Sequence, residues 1–380
     1  MPDPRIEKLA HTLVTYSVAV KPGEAVALMG DSSSLPLLRE IYKQVVLAGG
    51  HCVTLLSGGS RPLSDGVVGG DDVMANFFLR HANEDQLNWI SPVEQWVVND
   101  CPVTISIRST DNTRRGSSID AKRISARAAS RAGMSKTRFA RSAEGKQRWT
   151  LAMFPTEGHA QEADMSLEEF EDFFYHACFA DQPDPIQCWR DLEANQQKYV
   201  DWLKGHDRIV VRGPNADLSL SIKDRTFINS TGTHNMPSGE IFTGPVEESV
   251  NGWVRFTYPA INGGRQVDGI ELKFEHGKVV SATAKKNEDY LLSMLDTDTG
   301  ARFLGEWAIG TNFGINRFTG NILFDEKIGG TIHMAVGRGY PETGSKNESA
   351  IHWDMICDMR DGSEIVVDGD LFYKDGQFAI

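Results

Sequence analysis

The spacing of hydrophobic and polar residues changes character near residue 205. Before that point, short apolar runs of strand length alternate with segments that place apolar residues every three or four positions. The runs predict strands at residues 24–29, 51–56, 102–107 and 149–154. The other segments predict helices at residues 5–17, 34–48, 71–87, 119–132, 166–179 and 187–204. This alternation is typical of a mostly parallel sheet with helices on both faces, so residues 1–205 are predicted to form an α/β domain.

Residues 206–380 are dominated by short strands instead. The predicted strands lie at residues 209–212, 218–223, 254–258, 269–274, 279–284, 331–336, 350–356, 365–367 and 371–373. Glu275-His-Gly277 joins two of them as a hairpin turn would, and one helix is predicted at about 288–303. These features predict a mainly antiparallel, strand-rich α+β domain over residues 206–380. Two domains also fit a chain of 380 residues.

The composition is that of a globular protein, and its charge argues against two classes of partner. Of the 380 residues, 40% are hydrophobic and 24% are charged, which excludes a disordered or fibrous chain. Lys and Arg number 39 against 52 Asp and Glu, so the net charge is −13. Because phosphate groups bind to basic surfaces, we expect neither nucleic acid nor an anionic membrane as a partner.

Several features favour a cytoplasmic location. No apolar run approaches the roughly 20 residues of a membrane helix. The first residues lack the charged-then-apolar layout of a secretion signal. The five cysteines are scattered and form no CxxC motif: Cys52, Cys101, Cys178, Cys188 and Cys357. Such a set indicates reduced thiols in a cytoplasmic protein.

The residues that could carry chemistry lie between positions 235 and 354. The GxGxxG, GxxxxGK[ST], HExxH and GxSxG motifs are missing from the sequence, so no nucleotide cofactor site is predicted. Glu240 follows a Pro-x-Gly turn and is expected in a loop, Glu306 at the end of a helix, and His333 in an apolar strand. The full candidate set is Glu240, Glu306, Glu326, His333, His352 and Asp354.

His352 and Asp354 form the most specific local pattern. Residues i and i+2 of a strand face the same side, about 6.5–7 Å apart, so both point to one spot while Trp353 turns away. Burying a histidine and an aspartate among apolar residues is costly without strong partners, and a metal ion would provide them. Taken singly, each candidate is more often a hydrogen-bonded core residue or a solvated turn residue, and spacing alone does not establish that the six converge.

Longer blocks around these residues resemble a known family. They are Asn235-Met-Pro-Ser-Gly-Glu-Ile-Phe-Thr243, Leu304-Gly-Glu306, Leu323-Phe-Asp-Glu326 and Asn347-Glu-Ser-Ala-Ile-His-Trp-Asp354. The opening segments Asp3-Pro-Arg-Ile-Glu-Lys-Leu-Ala10 and Val20-Lys-Pro-Gly-Glu24 extend the similarity to the N-terminus. Together they resemble the metal-dependent leucyl aminopeptidases of the thermophilic type, the aminopeptidase T and S family. The stretch from Asp325 to His333 is slightly longer than the family pattern.

The resemblance implies two domains, with a dinuclear metal site in the C-terminal one. The matching ligand positions are Glu240, Glu306, His333, His352 and Asp354. Glu326 matches a further acidic position, as metal ligand or general base, and Tyr340 matches a catalytic tyrosine. The implied cofactors are two divalent ions (zinc, cobalt, manganese or magnesium), which activate a water molecule for attack on a peptide bond.

The implied substrates are peptides with a free N-terminus, and the implied assembly is a homodimer. A free α-amino group can bind a metal ion or an acidic side chain, which would restrict cleavage to the first residue. Glu247 and Glu248 are candidates for that acidic contact, with solvated loop charges as the alternative reading.

Two other functions stay open at this stage. Ring-opening dioxygenases that act on dihydroxypyridines are similar in sequence to this family and use one ferrous ion held by two histidines and a carboxylate. His352 and Asp354 would serve either chemistry, whereas a mononuclear iron site has no need for Glu240, Glu306 and Glu326. The other alternative is a non-catalytic relative that binds or scaffolds, against which the intact set of candidate ligands argues.

Overall fold

The computed structural model describes residues 3–56, 72–114, 118–262 and 264–380. The chain forms two compact units. The first comprises Met1–Cys188 and Gly232–Pro237, and the second comprises Trp189–Thr231 and Ser238–Ile380. The division into functional domains at residue 205 stays a prediction. No helix among the described residues is long and apolar enough to cross a bilayer.

The helices and strands are numbered in chain order. The helices are α1 (Pro4–Thr12), α2 (Leu35–Leu47), α3 (Asp72–His81), α4 (Glu84–Asn88), α5 (Pro92–Asn99), α6 (Ala121–Ser130), α7 (Ala132–Ala143), α8 (Glu157–Glu162), α9 (Leu167–Ala177), α10 (Pro185–Leu203), α11 (Glu288–Leu295) and α12 (Ile322–Asp325). The strands are β1 (Ala25–Gly30), β2 (His51–Leu56), β3 (Val103–Arg108), β4 (Arg148–Met153), β5 (Arg208–Gly213), β6 (Ala216–Ser221), β7 (Ile228–Ser230), β8 (Asn235–Met236), β9 (Glu240–Thr243), β10 (Asn251–Arg255), β11 (Ala260–Asn262), β12 (Arg265–Val267), β13 (Glu271–Glu275), β14 (Lys278–Thr283), β15 (Leu304–Gly310), β16 (Thr331–Gly337), β17 (His352–Asp358), β18 (Glu364–Val367), β19 (Asp370–Lys374) and β20 (Gln377–Phe378). A π-helical turn, Leu13–Ser17, extends α1, and 3-10 turns span Ser32–Ser34 and Pro341–Thr343.

The first unit contains the predicted parallel sheet. In the described residues its strand order is β2-β1-β3-β4-β8, and each neighbouring pair runs parallel. The consecutive residues Val26, Ala27 and Leu28 are all fully buried, as expected where helices cover both faces of a parallel sheet. The predicted α/β fold of this half is confirmed.

The second unit is built from antiparallel sheets, which confirms the predicted strand-rich fold. The larger sheet has the order β14-β13-β10-β6-β5-β18-β19-β20 among the described residues, and a second sheet has the order β17-β16-β15-β9-β7. One hydrophobic cluster draws on both sheets and takes in Trp307, Met334 and Met355 from the second. Because side chains alternate along a strand, that sheet also has an opposite face, which is free for polar residues.

Two helix predictions need correction. The helix predicted at 71–87 is divided into α3 and α4, because Asn83 caps α4 and accepts a hydrogen bond from the Gln86 backbone N–H at 2.9 Å; residue 71 lies outside the described residues. The helix predicted at 288–303 ends at Leu295. Glu306 therefore does not lie at a helix end but inside strand β15.

Strand β15 is not predicted from the sequence, because Gly305 and Gly310 interrupt and end its apolar run and glycine is unfavourable inside a strand. Gly305 explains part of the burial, because a Cβ there would lie 2.3 Å from the carbonyl oxygen of Arg338. Glu240 likewise begins strand β9 instead of lying in a loop.

Candidate metal centre

The predicted ligands lie on the polar face of the β17-β16-β15-β9-β7 sheet of the second unit. Strands β17, β16, β15 and β9 are neighbours in this sheet. Because successive side chains of a strand point to opposite faces, the core residues lie on one face and the polar residues on the other. Cross-strand pairing sets Gly310 against Glu240, Ala308 against His333, and Ala335 against Asp354. The partner residues are small, which leaves room above the sheet for the longer side chains.

Glu306 lies between two histidines. Its Oε1 is 3.2 Å from Nε2 of His333, and its Oε2 is 3.5 Å from Nε2 of His352. The carboxylate thus presents one oxygen to each imidazole, so both of its oxygens face groups that can bind a metal ion. Glu306 is 5% exposed and His333 is fully buried, so this part of the site is well shielded from solvent.

His352 has the orientation expected of a metal ligand. Its Nδ1 lies 2.7 Å from the backbone carbonyl oxygen of Arg338. Because a carbonyl oxygen only accepts hydrogen bonds, Nδ1 is assigned as the protonated donor. Nε2 then carries the lone pair, and it lies 3.6 Å from Oδ2 of Asp354. Donation of the second ring N–H to a carbonyl is the usual way in which a metal-binding histidine is held.

Glu240 and Glu326 share a partner that sequence reasoning missed. Lys327 is fully buried, and its Nζ lies 3.4 Å from Oε1 of Glu240 and in close contact with Oε1 of Glu326. The other oxygen of Glu240, Oε2, is 3.2 Å from Nε2 of His333. A lysine next to a glutamate in sequence usually forms a solvated pair, and no local signal distinguishes this one.

Glu326 is positioned by the end of a short helix. It directly follows α12, whose last residue, Asp325, is buried and accepts hydrogen bonds from the backbone N–H of Thr319 at 2.7 Å and from its hydroxyl at 2.8 Å. Those bonds fix the turn from which Glu326 reaches Lys327 and the histidine cluster.

The six predicted ligands therefore converge. Potential ligand atoms lie within 4.8 Å of one another in three overlapping groups: Glu240, Glu306 and His333; Glu306, His352 and Asp354; and Glu326, His333 and Asp354. Glu247 and Glu248 belong to none of these groups among the described residues. Glu247 instead pairs with Arg225 at 2.6 Å and accepts the Lys346 backbone N–H at 2.6 Å, and Glu248 is exposed.

The crowding of carboxylates displaces their pKa values in opposite directions. Burial raises the pKa of Glu326 to about 7, and the charges of Glu240 and Asp354 act the same way. Burial also raises the pKa of Glu306, assisted by the charge of Asp354. For Glu240, burial alone would raise the pKa, but the cations Lys327 and His333 outweigh it and lower the pKa to about 2.

His333 is the clearest sign that the site is built for a cation. Burial disfavours its imidazolium form, yet the carboxylates of Glu240 and Glu306 raise its pKa well above the ordinary value. A single Nε2–H cannot donate well to both oxygens, and Oε2 of Glu240 is buried and accepts no hydrogen bond from the described residues. A divalent ion among these three atoms would bind all of them, so the side chains fit a metal ion that prefers mixed imidazole and carboxylate ligands.

Tyr340 lies beside this cluster. Its ring contacts His352 edge-on, with the ring centroids 5.1 Å apart, and contacts Phe242 with the centroids 5.7 Å apart. Burial raises the pKa of Tyr340 well above its ordinary value, and the nearby charges of Glu306 and Asp354 add to the effect. The phenol therefore stays protonated and is available as a hydrogen-bond donor.

The sequence as a whole matches a known family. The family model described as thermophilic metalloprotease (M29) matches residues 2–378, so the chain belongs to this family. Membership confirms the predicted family and the predicted class, a metal-dependent aminopeptidase, which is a hydrolase. It also implies divalent metal cofactors.

Individual relatives agree with this assignment. Aminopeptidase 2 of Geobacillus stearothermophilus is 27% identical, over 98% of this chain and 95% of its own length. Aminopeptidase T of Thermus thermophilus is 25% identical with the same coverage. The solved structure of wild-type AmpT from Thermus thermophilus superposes with a TM-score of 0.84 at 22% identity, covering 99% of both chains, and so shares the fold.

The dioxygenase alternative is supported only by a weaker likeness of fold. The structure of 2,5-dihydroxypyridine dioxygenase from Pseudomonas putida KT2440 superposes with a TM-score of 0.55 at 12% identity, covering 98% of this chain and 96% of the other. At such identity the match concerns the fold alone.

Proposed function

We propose that this aminopeptidase holds two divalent ions on the polar face of the β17-β16-β15-β9-β7 sheet and removes the N-terminal residue of peptides. The observation that carries the proposal is the placement of Glu306, whose two oxygens face His333 and His352 separately. A carboxylate whose two oxygens each lie next to a different histidine is suited to binding two ions, one through each oxygen.

The grouping of ligand atoms supports a division into two sites. Glu240, Glu306 and His333 would hold one ion, and Glu306, His352 and Asp354 would hold the other. Zinc, cobalt and manganese suit such imidazole and carboxylate ligands, and magnesium suits them less well. When bound, the ions would supply an activated water molecule and polarise the scissile carbonyl group.

The residues around the ligands have separate roles in this proposal. Glu326 is assigned as a further metal ligand or as the general base, because its carboxyl group lies with His333 and Asp354 in the third ligand group and burial raises its pKa to about 7. Tyr340 is assigned as a hydrogen-bond donor to the oxyanion, because its ring contacts His352 and its hydroxyl stays protonated. His352 is held in the required tautomer by the carbonyl of Arg338.

The substrate is proposed to be a peptide with a free α-amino group. Support comes from the relatives, which are named aminopeptidases, and from the acidic character of the site, which attracts an ammonium group. Glu326 and Asp354 are the acidic groups of the cluster that are not fully shielded from solvent. They are suited to meeting a substrate amine as it enters.

The location and assembly of the protein are also proposed. A cytoplasmic location is supported by the five cysteines, all of which are free thiols. A homodimer is supported by the family resemblance, and the mass measured in solution by light scattering tests it. A mass near 84 kDa, about twice that of the 42.0 kDa chain, is expected, and a mass near 42.0 kDa would contradict the dimer.

Blocking the substrate amine is expected to abolish hydrolysis. The purified chain should release leucine from leucyl peptides and release nothing from the N-acetylated versions, because the acetyl group removes the positive charge that the acidic site attracts. Release is measured by chromatography after removal of metal with a chelator and after addition of zinc, cobalt or manganese. Equal cleavage of blocked and unblocked peptides would contradict an aminopeptidase, and oxygen consumption with a dihydroxypyridine would point to the dioxygenase reaction.

A further inference from the structure

A buried lysine connects two of the acidic residues in the candidate metal centre. Lys327 is fully buried, although lysine is almost never found in that state unless it is paired. Its ammonium lies 3.4 Å from Oε1 of Glu240 and contacts Oε1 of Glu326. Each glutamate thus gives one oxygen to the same cation.

The remaining oxygen of Glu240 faces the histidine cluster. Oε2 of Glu240 lies 3.2 Å from Nε2 of His333 and accepts no hydrogen bond from the described residues, whereas Oε1 is committed to Lys327. Glu326 is likewise close to both partners, because its Oε1 contacts Lys327 and one of its carboxylate oxygens lies within 4.8 Å of potential ligand atoms of His333 and Asp354.

The backbone holds the lysine firmly in this position. The Lys327 N–H donates to the carbonyl of Phe324 at 2.9 Å, and its carbonyl accepts the N–H of Asn312 at 3.1 Å. Gly310 makes the approach possible, because a Cβ there would lie 3.0 Å from the Lys327 carbonyl carbon and 2.2 Å from the Ile328 oxygen. Gly310 is also the cross-strand partner of Glu240, so the same contact brings the lysine to that glutamate.

We propose that Lys327 is a positioning residue that occupies one oxygen of both Glu240 and Glu326, so that each glutamate offers a single oxygen to the centre. This inference rests on the proposed function, because it concerns how the same site receives its ions. Monodentate carboxylates leave coordination positions open for water and substrate, which a catalytic metal site needs. Lys327 also places a positive charge between two carboxylates that would otherwise repel each other.

Positioning and simple electrostatics predict opposite effects on metal binding. If Lys327 acted only through its charge, its removal would relieve repulsion and tighten the binding of a divalent cation. If it positions the glutamates, its removal lets both carboxylates rotate, so metal binding becomes weaker by about 10–100-fold, as is typical for groups that orient ligands. The sign of the change therefore distinguishes the two roles.

The test compares Lys327→Met with the matched variant Lys286→Met. Methionine keeps most of the buried volume of the lysine chain but removes the ammonium. Lys286 lies in the same unit, is exposed and pairs with Asp268 at 3.7 Å, so its loss controls for removing one positive charge. Cobalt binding to each metal-free protein is measured by calorimetry, and the visible absorption of bound cobalt reports its coordination number.

We expect Lys327→Met to bind cobalt about 10–100-fold more weakly than wild type and to show a weaker visible band, because bidentate glutamates raise the coordination number. Lys286→Met should match wild type in both measurements. Unchanged or tighter binding by Lys327→Met, with an unchanged spectrum, would overturn the inference and leave the proposed function intact. Failure of the wild-type protein to bind cobalt at all would overturn the proposed function itself.

A measurement on the wild-type chain guards against a variant that does not fold. In a crystal structure of the metal-loaded protein, the Lys327 ammonium should still contact one oxygen of each glutamate. Bidentate binding of either glutamate, or displacement of the lysine from both, would contradict the positioning role.

Discussion

Replacing Glu306 by glutamine is expected to remove both ions and to abolish peptidase activity. In Glu306, Oε1 lies 3.2 Å from Nε2 of His333 and Oε2 lies 3.5 Å from Nε2 of His352. A glutamine amide has only one oxygen and no negative charge, so it cannot serve both ions in this way. Loss of the ions removes several kcal/mol of transition-state stabilisation, which corresponds to a fall in kcat/KM of more than about 10³-fold. Metal content by elemental analysis and leucine release from a leucyl peptide measure the two effects.

A matched substitution separates the role of Glu306 from a general effect of charge. Glu275 is exposed and pairs with Lys273 at 3.0 Å in the same unit, so Glu275→Gln should keep the metal content and activity of the wild type. The bridging role is contradicted if Glu306→Gln folds and retains the wild-type number of ions.

Replacing Tyr340 by phenylalanine is expected to lower kcat by roughly 10²–10³-fold while leaving metal content intact. The phenol is a poor metal ligand beside carboxylates and imidazoles, but its ring contacts His352 and its hydroxyl stays protonated, so it can donate to a developing oxyanion. Removal of one oxyanion donor typically costs this much. Steady-state kinetics on an unblocked leucyl substrate, with elemental analysis of the same sample, give the answer.

Two other variants serve as controls for Tyr340→Phe. Tyr290→Phe removes a hydroxyl of the same unit that hydrogen-bonds the Asn262 carbonyl at 3.2 Å, and it should retain near-wild-type kcat. His352→Ala should lose metal and activity together, in contrast to Tyr340→Phe. If Tyr340→Phe keeps full kcat, the ring merely packs against Phe242 and His352 and the catalytic role fails.

Local spacing predicts part of the centre well. His333 is flanked by apolar residues, and His352 and Asp354 alternate with Trp353, so a period of two places all three on strand faces. The structure has these residues in β16 and β17, with their side chains opposite the core that contains Trp353 and Met355. The parallel strands of the first unit are predicted from short apolar runs instead, because both faces of that sheet are covered.

Other parts depend on contacts that no local pattern encodes. Glu306 follows Gly305 in a strand that the sequence does not predict, and the helix predicted before it ends at Leu295 instead of residue 303, so the prediction that Glu306 lies at a helix end is wrong. Strand register, such as the pairing of Gly310 with Glu240, brings together the four strands that carry candidate ligands, and Glu326 joins them from the end of α12. Lys327 is buried beside Gly310, where a Cβ would collide with the backbone at Lys327 and Ile328. The sequence around Lys327 is typical of a solvated lysine, so its place in the centre cannot be predicted from local spacing.

The most direct test of the account is the metal content of the wild-type chain purified without chelator. Elemental analysis should find close to two divalent ions per chain, both lost on treatment with a chelator together with peptidase activity, and both restored by zinc, cobalt or manganese. One iron per chain, with no peptidase activity, would favour the dioxygenase chemistry instead. No bound metal, or full peptidase activity after its removal, would contradict the central claim that these carboxylates and histidines form a dinuclear catalytic site.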